Sequence, residues 1–256
     1  MEKTKERTSI ITKKSNKKTI QENRIPTGIK EFDKMVEGGF EHNSINLVVG
    51  GNGSGKTIFG VEFLLEGVRK GENVLYITFE ESKKEFYKNL SKLGWEMEKA
   101  EKSGKFTFLE YSPEKVEMML DEGGGMIESL VYQKKIKRMV IDSISSFTLL
   151  FENKSSKRQA ILSLFDTIRK WDLTTLLTLQ KDPLEKKESG FTSAELQSDS
   201  SILFYYARIG KERKRFVEVS KMRGTKHSTE IREFSIDKGI KIGKILSDNT
   251  QLERIK

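Results

Sequence analysis

The chain has 256 residues, a third of them charged, with no cysteine, two histidines and a formal net charge of +9. That length suits one α/β domain with elaborations. The missing cysteines exclude disulfides, thiolate zinc sites and cysteine nucleophiles, and His42 and His227 alone leave little for a dedicated transition-metal site. No apolar run approaches the ~18 residues of a membrane span and no signal-peptide core opens the chain, so a cytoplasmic protein without a transmembrane segment is expected.

Residues 1–24 carry Lys3, Lys5, Arg7, Lys13, Lys14, Lys17, Lys18 and Arg24 against Glu2, Glu6 and Glu22. More than half of the net charge therefore lies in a stretch without apolar periodicity, which reads as a disordered basic tail. Its role is either a solvated leader or an arm for nucleic acid, anionic lipid or an acidic partner. Residues 25–256 form the expected folded domain. Pro26 pushes Ile25 towards an extended conformation; Ile29, Phe32, Met35 and Val36 then recur at helical spacing until Gly38 and Gly39 stop the pattern.

The apolar run 45–49 is the first long strand, and Gly50, Gly51, Asn52, Gly53, Ser54, Gly55, Lys56 and Thr57 follow it directly. They satisfy G-x-x-x-x-G-K-[ST] between a strand and a helix-patterned segment, the setting that gives a P-loop its meaning. Backbone N–H groups close around phosphate oxygens, the helix turns its positive end towards them, Lys56 reaches the β/γ-phosphates and Thr57 can ligate Mg2+. Phe59, Phe63, Leu64 and Val68 mark the apolar face of that helix.

A strand over 74–79 comes next, then a helix with a capping box from Ser82 to Glu85 and apolar positions Phe86, Leu90 and Leu93. Further expectations are a strand over 106–110, a helix after Pro113, a break at Gly123, Gly124 and Gly125, a strand over 138–141, a helix over 156–171 and a strand over 174–179. Alternation of strands and helices predicts a parallel, helix-covered sheet. The strand-like pieces 202–208, 215–222, 230–236 and 240–242 read instead as an antiparallel extension beside it.

Phosphoryl transfer needs neutralised charge, a held metal and an oriented water. Asp142 ends a buried-strand pattern, as a Walker-B aspartate holding Mg2+ does. Glu80 and Glu81 follow the second strand at the carboxyl edge where open α/β sheets bind ligands, and either suits a base that aligns water. Gln180 ends another strand at that edge, where an amide can sense the γ-phosphate. Lys221, Arg223, Lys226 and His227 crowd a turn at Gly224 and Thr225, and a Lys and an Arg spaced by two can meet one anion as an arginine finger does.

Together these motifs resemble the KaiC-like branch of the RecA superfamily of ATPases over 25–242. The carriers are Pro26-Thr27-Gly28-Ile29, the P-loop, Thr78-Phe79-Glu80-Glu81, Val140-Ile141-Asp142-Ser143, Ser198-Asp199-Ser200 and, above all, Lys221-Met222-Arg223-Gly224-Thr225-Lys226-His227. The resemblance implies a homohexameric ring with ATP and Mg2+ between subunits. Lys221 and Arg223 would act in trans, Thr225 and His227 would line the neighbour's nucleotide, and Glu80 and Glu81 would be the catalytic carboxylates. It also implies adenine as the base; with no accessory motor domain visible, slow, regulatory turnover with an unidentified protein partner is expected rather than motor work. The circadian clock ATPase of this branch has two such domains in tandem where this chain has one, so a clock role is not implied. Glu195 and Leu196 stand where its autophosphorylated Ser-Thr pair falls, which argues against autokinase activity there; Thr192 and Ser193 are nearby hydroxyls. Two other readings are a RadA/RadB-like DNA-binding recombination or repair ATPase and a non-hydrolysing nucleotide-binding scaffold like the archaellum accessory protein.

Overall fold

The structure, a computed structural model, describes residues 24–111, 125–149, 151–184 and 192–246. The tail up to residue 23 and the helix expected after Pro113 lie outside the described residues. Arg24 belongs to the fold and not to the tail: β1 (Arg24–Ile25) pairs antiparallel with β2 (Phe40–Glu41). The Arg24 side chain is buried against Glu37 and Glu41. The short helix α1 (Lys30–Met35) lies between these strands and buries Phe32 and Met35.

The remaining order is β3 (Ile45–Gly50), α2 (Lys56–Arg69), β4 (Asn73–Thr78), α3 (Lys83–Ser91), α4 (Met97–Lys102), β5 (Phe106–Glu110), α5 (Gly125–Lys134), β6 (Ile136–Asp142), α6 (Ile144–Thr148), α7 (Lys154–Arg169), β7 (Thr174–Gln180), α8 (Ser193–Gln197), β8 (Ser200–Ile209), β9 (Glu212–Met222), β10 (Arg232–Ile236) and β11 (Ile240–Ile245). The capping box expected at Ser82 is half-formed: Ser82 accepts from the Glu85 N–H, and α3 ends before Leu93. Gly125 opens α5.

β11-β10-β9-β8-β3-β7-β6-β4-β5 is the order of one nine-stranded sheet. β3 to β8 are mutually parallel, and β9, β10 and β11 are antiparallel. This is an α/β, RecA-like fold with antiparallel C-terminal strands. Two details depart from the sequence expectation. The extension continues the same sheet edge to edge, and its first piece, β8, is parallel to β3, so the direction changes only at the β8–β9 hairpin.

Alternating side chains cover both faces. Val48, Val74, Tyr76, Val140 and Leu176 pack on one side with α1, α2 and α3; Leu47, Leu75, Ile141 and Leu177 pack on the other with α5, α6 and α7. Burial on both faces is what a parallel sheet requires. On the α2 side Phe59 meets Phe32 edge-on at 5.0 Å and Phe204 at 5.5 Å between centroids. Phe59 lies in the first turn of α2, so these contacts fix the height of that turn, which carries Lys56 and Thr57. Arg138 is fully buried beneath the sheet, paired with Glu72 and donating to the Pro26 and Phe63 carbonyls.

Candidate functional site

β3 is buried at every position up to Gly50, where the chain leaves the sheet. Gly50 has no room for a side chain: a Cβ would lie 2.8 Å from the Phe204 carbonyl oxygen. Gly55 caps α2 at φ +107, a left-handed conformation that a Cβ disfavours. The loop thus lays successive N–H groups at the amino end of a long helix, an anion site by geometry and dipole together. Lys56 Nζ donates to the Gly50 and Gly51 carbonyl oxygens at 2.8 and 3.0 Å, closing the loop over itself. Burial pulls the Lys56 pKa down, opposed by the charges of Asp142 and Glu80.

Beyond the loop lies a cleft of about 320 Å³ that also takes in Glu80, Asp142, Ser143, Gln180, Arg215 and Ile236. Asp142 ends β6 directly opposite Thr78 of β4. Its Oδ2 accepts from Thr57 Oγ1 at 2.6 Å and from Tyr76 OH at 2.8 Å, and Thr178 Oγ1 donates to its other oxygen. Burial first, and then the Asp142 charge, hold the Tyr76 phenol well above its ordinary range, so it remains a donor. Thr57, Tyr76 and Thr178 come from α2, β4 and β7, which converge on one carboxylate. The peptide joining Asp142 to Ser143 is cis.

The two glutamates part company. Glu80 faces the cleft, its backbone N–H donating to Thr78 Oγ1 and its Oε1 accepting from Ser143 Oγ at 2.8 Å and from Ser146 Oγ. Glu81 turns towards α3 and accepts from Asn89 Nδ2 at 2.7 Å. Gln180 lines the cleft, and its N–H donates to Ser145 Oγ at 2.7 Å. Asn52, Gly53, Gly55, Lys56, Thr57, Glu80, Asp142 and Gln180, all singled out in the sequence, therefore meet in one cleft.

Lys221, Arg223, Thr225 and His227 do not join them. Ser201 of β8 pairs with Lys221, whereas Phe204 pairs with Gly50. Lys221 is therefore about 10 Å back along the sheet from the P-loop and two strands over. Lys221 Nζ donates to the Glu195 carbonyl at 2.8 Å, and Arg223 meets the Leu196 carbonyl and Asp199. Burial, and then Arg223, lower the Lys221 pKa, against Asp199 and Glu195. Arg24 donates to Thr225 Oγ1 at 2.7 Å, and His227 Nδ1 lies 2.9 Å from the Ser228 carbonyl. Thr192 caps α8 in a full capping box with Glu195, which also pairs with Lys181.

Sequence reasoning missed Tyr76, Ser145, Ser146, Thr178 and Arg215, and quoted Ser143 in a motif without giving it a role. The serine run after Asp142 was a visible signal, since hydroxyls beside a strand-end carboxylate are natural orienting groups. Arg215 gave none: its guanidinium lies 4.5 Å over Tyr206 across the β8–β9 hairpin, and its Nε donates to the Gly53 carbonyl of the P-loop at 2.9 Å.

A mainly parallel sheet presenting a phosphate loop and a strand-end aspartate at one edge defines a P-loop nucleotide-binding fold of the RecA type. Within that class the chain belongs to the KaiC family: the family model "ATPase: KaiC" matches residues 25–247. Among similar proteins are the circadian clock protein KaiC3 of Synechocystis sp., 30% identical over 228 residues, and a UPF0273 protein of Thermotoga maritima, 33% identical over 233 residues. Each alignment covers 86% of this chain, but 45% of the former protein and 95% of the latter. The chain thus spans less than half the length of the clock proteins it matches. A KaiC-like protein from Pyrococcus horikoshii, solved by crystallography, superposes with a TM-score of 0.76 at 31% identity, covering 86% of this chain and 99% of that one. Among the described residues no helix is long and apolar enough to cross a membrane.

Proposed function

We propose that the protein binds and slowly hydrolyses ATP with Mg2+, in a ring of identical subunits whose nucleotides sit at the boundaries between copies. The observation that carries the hydrolytic reading is the convergence of Thr57, Asp142 and Glu80 beside the P-loop. Thr57 Oγ1 and Asp142 Oδ2, 2.6 Å apart, offer only oxygen donors. Oxygen ligands completed by retained water suit Mg2+, so the residues fit the ion. When bound, it would neutralise charge on the β- and γ-phosphate oxygens. Lys56 would exchange its two loop carbonyls for phosphate oxygens, a swap that opens the loop as the ligand enters. Glu80, two residues past the end of β4, whose Thr78 pairs with Asp142, would accept a hydrogen bond from the attacking water, with Gln180 across the cleft as a second polar contact. Adenine is the base implied by family membership.

Lys221 and Arg223 support the shared-site part of the proposal by their distance from their own P-loop. Held on carbonyls of α8, they form a cationic pair that another copy's nucleotide would use, with Thr225 and His227 beside them. Light-scattering mass and phosphate release, with and without Mg·ATP, test the reading. A sixfold mass in ATP with turnover abolished in Arg223→Ala supports it. A monomer that turns over equally well without Arg223 overturns the shared site.

A further inference from the structure

We infer that Ser146 is a positioning residue for Glu80, holding one carboxylate oxygen so that the other is presented to the attacking water. The inference rests on the hydrolytic reading above and deepens it. Ser143 and Ser146 both donate to the same atom, Glu80 Oε1. Oε2 receives neither hydroxyl, which leaves it to accept from a water in the cleft. A carboxylate at a strand end has free χ torsions; a charge-assisted bond from a fixed donor removes that freedom before the substrate arrives.

The donor is itself fixed. Ser143 caps α6, accepting from the Ser146 N–H, which places Ser146 in the first turn of that helix. The intervening Ser145 accepts from the Gln180 N–H at 2.7 Å, pinning α6 to the end of β7. Ile144 and Phe147 are buried beneath the same turn. The run Ser143-Ile144-Ser145-Ser146 is therefore a collar with alternating duties: Ile144 seats it, Ser145 ties it to β7, and Ser143 and Ser146 aim at Glu80. Ser143 also serves as the helix cap, so its removal mixes two effects. Ser146 has no such capping role and isolates the positioning function.

The test compares wild type with Ser146→Ala, Ser146→Thr, Ser146→Val and Glu80→Gln, and with Ser146→Ala in the Glu80→Gln background. The readouts are steady-state phosphate release against ATP concentration, affinity for a fluorescent ADP analogue, and thermal melting. A positioning role predicts that Ser146→Ala lowers kcat about 10- to 100-fold with KM and analogue affinity within about twofold. Thr, which keeps the hydroxyl, restores kcat to within about threefold of wild type. Val, nearly the same shape, does not, so the Thr/Val contrast holds even if α6 loses stability. In the Glu80→Gln background the serine change costs nothing further, because the two act as a unit. Wild-type or faster turnover in Ser146→Ala, Thr and Val behaving alike, or additive losses in the double variant would overturn the inference while leaving the ATPase reading intact. A wild-type protein that releases no phosphate would instead sink that reading, and this role with it.

Discussion

Glu80 and Glu81 share a peptide bond and end on different partners, Glu80 on the serines of the β6–α6 turn and Glu81 on Asn89 of α3. Only the first lines the cleft with Lys56 and Asp142. Glu80→Gln should therefore cut kcat by at least about 100-fold while ATP binding persists, whereas Glu81→Gln should stay within about fivefold of wild type. Equal losses in steady-state phosphate release would mean that the two carboxylates act jointly. The sequence located this pair at the correct edge but could not divide it, because which of two adjacent side chains faces a ligand depends on where the strand ends, and β4 stops at Thr78. The turn of the P-loop was legible, since Gly50 has no room for a Cβ and Gly55 takes a left-handed φ. Tyr76 and Thr178 were not, because a buried strand position reads as core until the carboxylate it bonds is known to lie beside it. Arg24 was misread for a related reason: counted with the basic tail, it is buried between Glu37 and Glu41 and holds Thr225.

At the scale of elements, α2 is tied to the antiparallel strands as well as to the P-loop. Glu62 on its buried side accepts from the Ile240 N–H at 2.7 Å, where β11 begins. Burial pushes the Glu62 carboxyl up to about 7 from an ordinary 4.5, against the Ile240 N–H and Arg69, which pull it down. A raised folded-state value means that the protonated form is the one the fold favours. The stability it contributes is complete below the unfolded value and is lost as pH rises from about 4.5 through about 7, a span of about 3 kcal/mol at most. Glu62→Gln keeps an oxygen for Ile240 and removes the charge. It should match wild type near pH 4 and exceed it by about 1–3 kcal/mol at pH 8 in chemical denaturation; equal stabilities at both pH values would contradict the account. Most elements were legible because long buried runs and 3.6-residue periods are unambiguous. The ribbon β1–β2 and the short helices α4, α6 and α8 were not, since a few residues hold too little periodicity to register and are set by tertiary contacts. The direction of β8 was hidden for another reason: an apolar run looks the same in either direction, and the α8 connection that returns the chain for a parallel pairing carries only a weak pattern.

At the scale of the whole molecule, the sheet separates two chemistries. The phosphate loop, Asp142 and Glu80 occupy the carboxyl edge, while Lys221 and Arg223 lie back along β9, with the Arg223 N–H bonded to the Asp199 carbonyl and Asp199 in turn to Ile45 at the opposite end of β3. A head-to-tail interface would bring one edge of each copy to the other edge of the next, the kind of contact that closes into a ring when its rotation permits. The central claim is that one active site is built from two chains, and complementation tests it most directly. Glu80→Gln and Arg223→Ala would be co-expressed under different affinity tags, the mixed assembly isolated through both tags, and its phosphate release compared with that of each variant alone. Each pure variant should retain about 1% of wild-type turnover or less. In a randomly mixed ring about one boundary in four joins an intact Glu80 to an intact Arg223, so about a quarter of wild-type turnover should return. A mixed assembly as silent as its parents, or an Arg223→Ala protein that hydrolyses ATP unaided, would contradict the account.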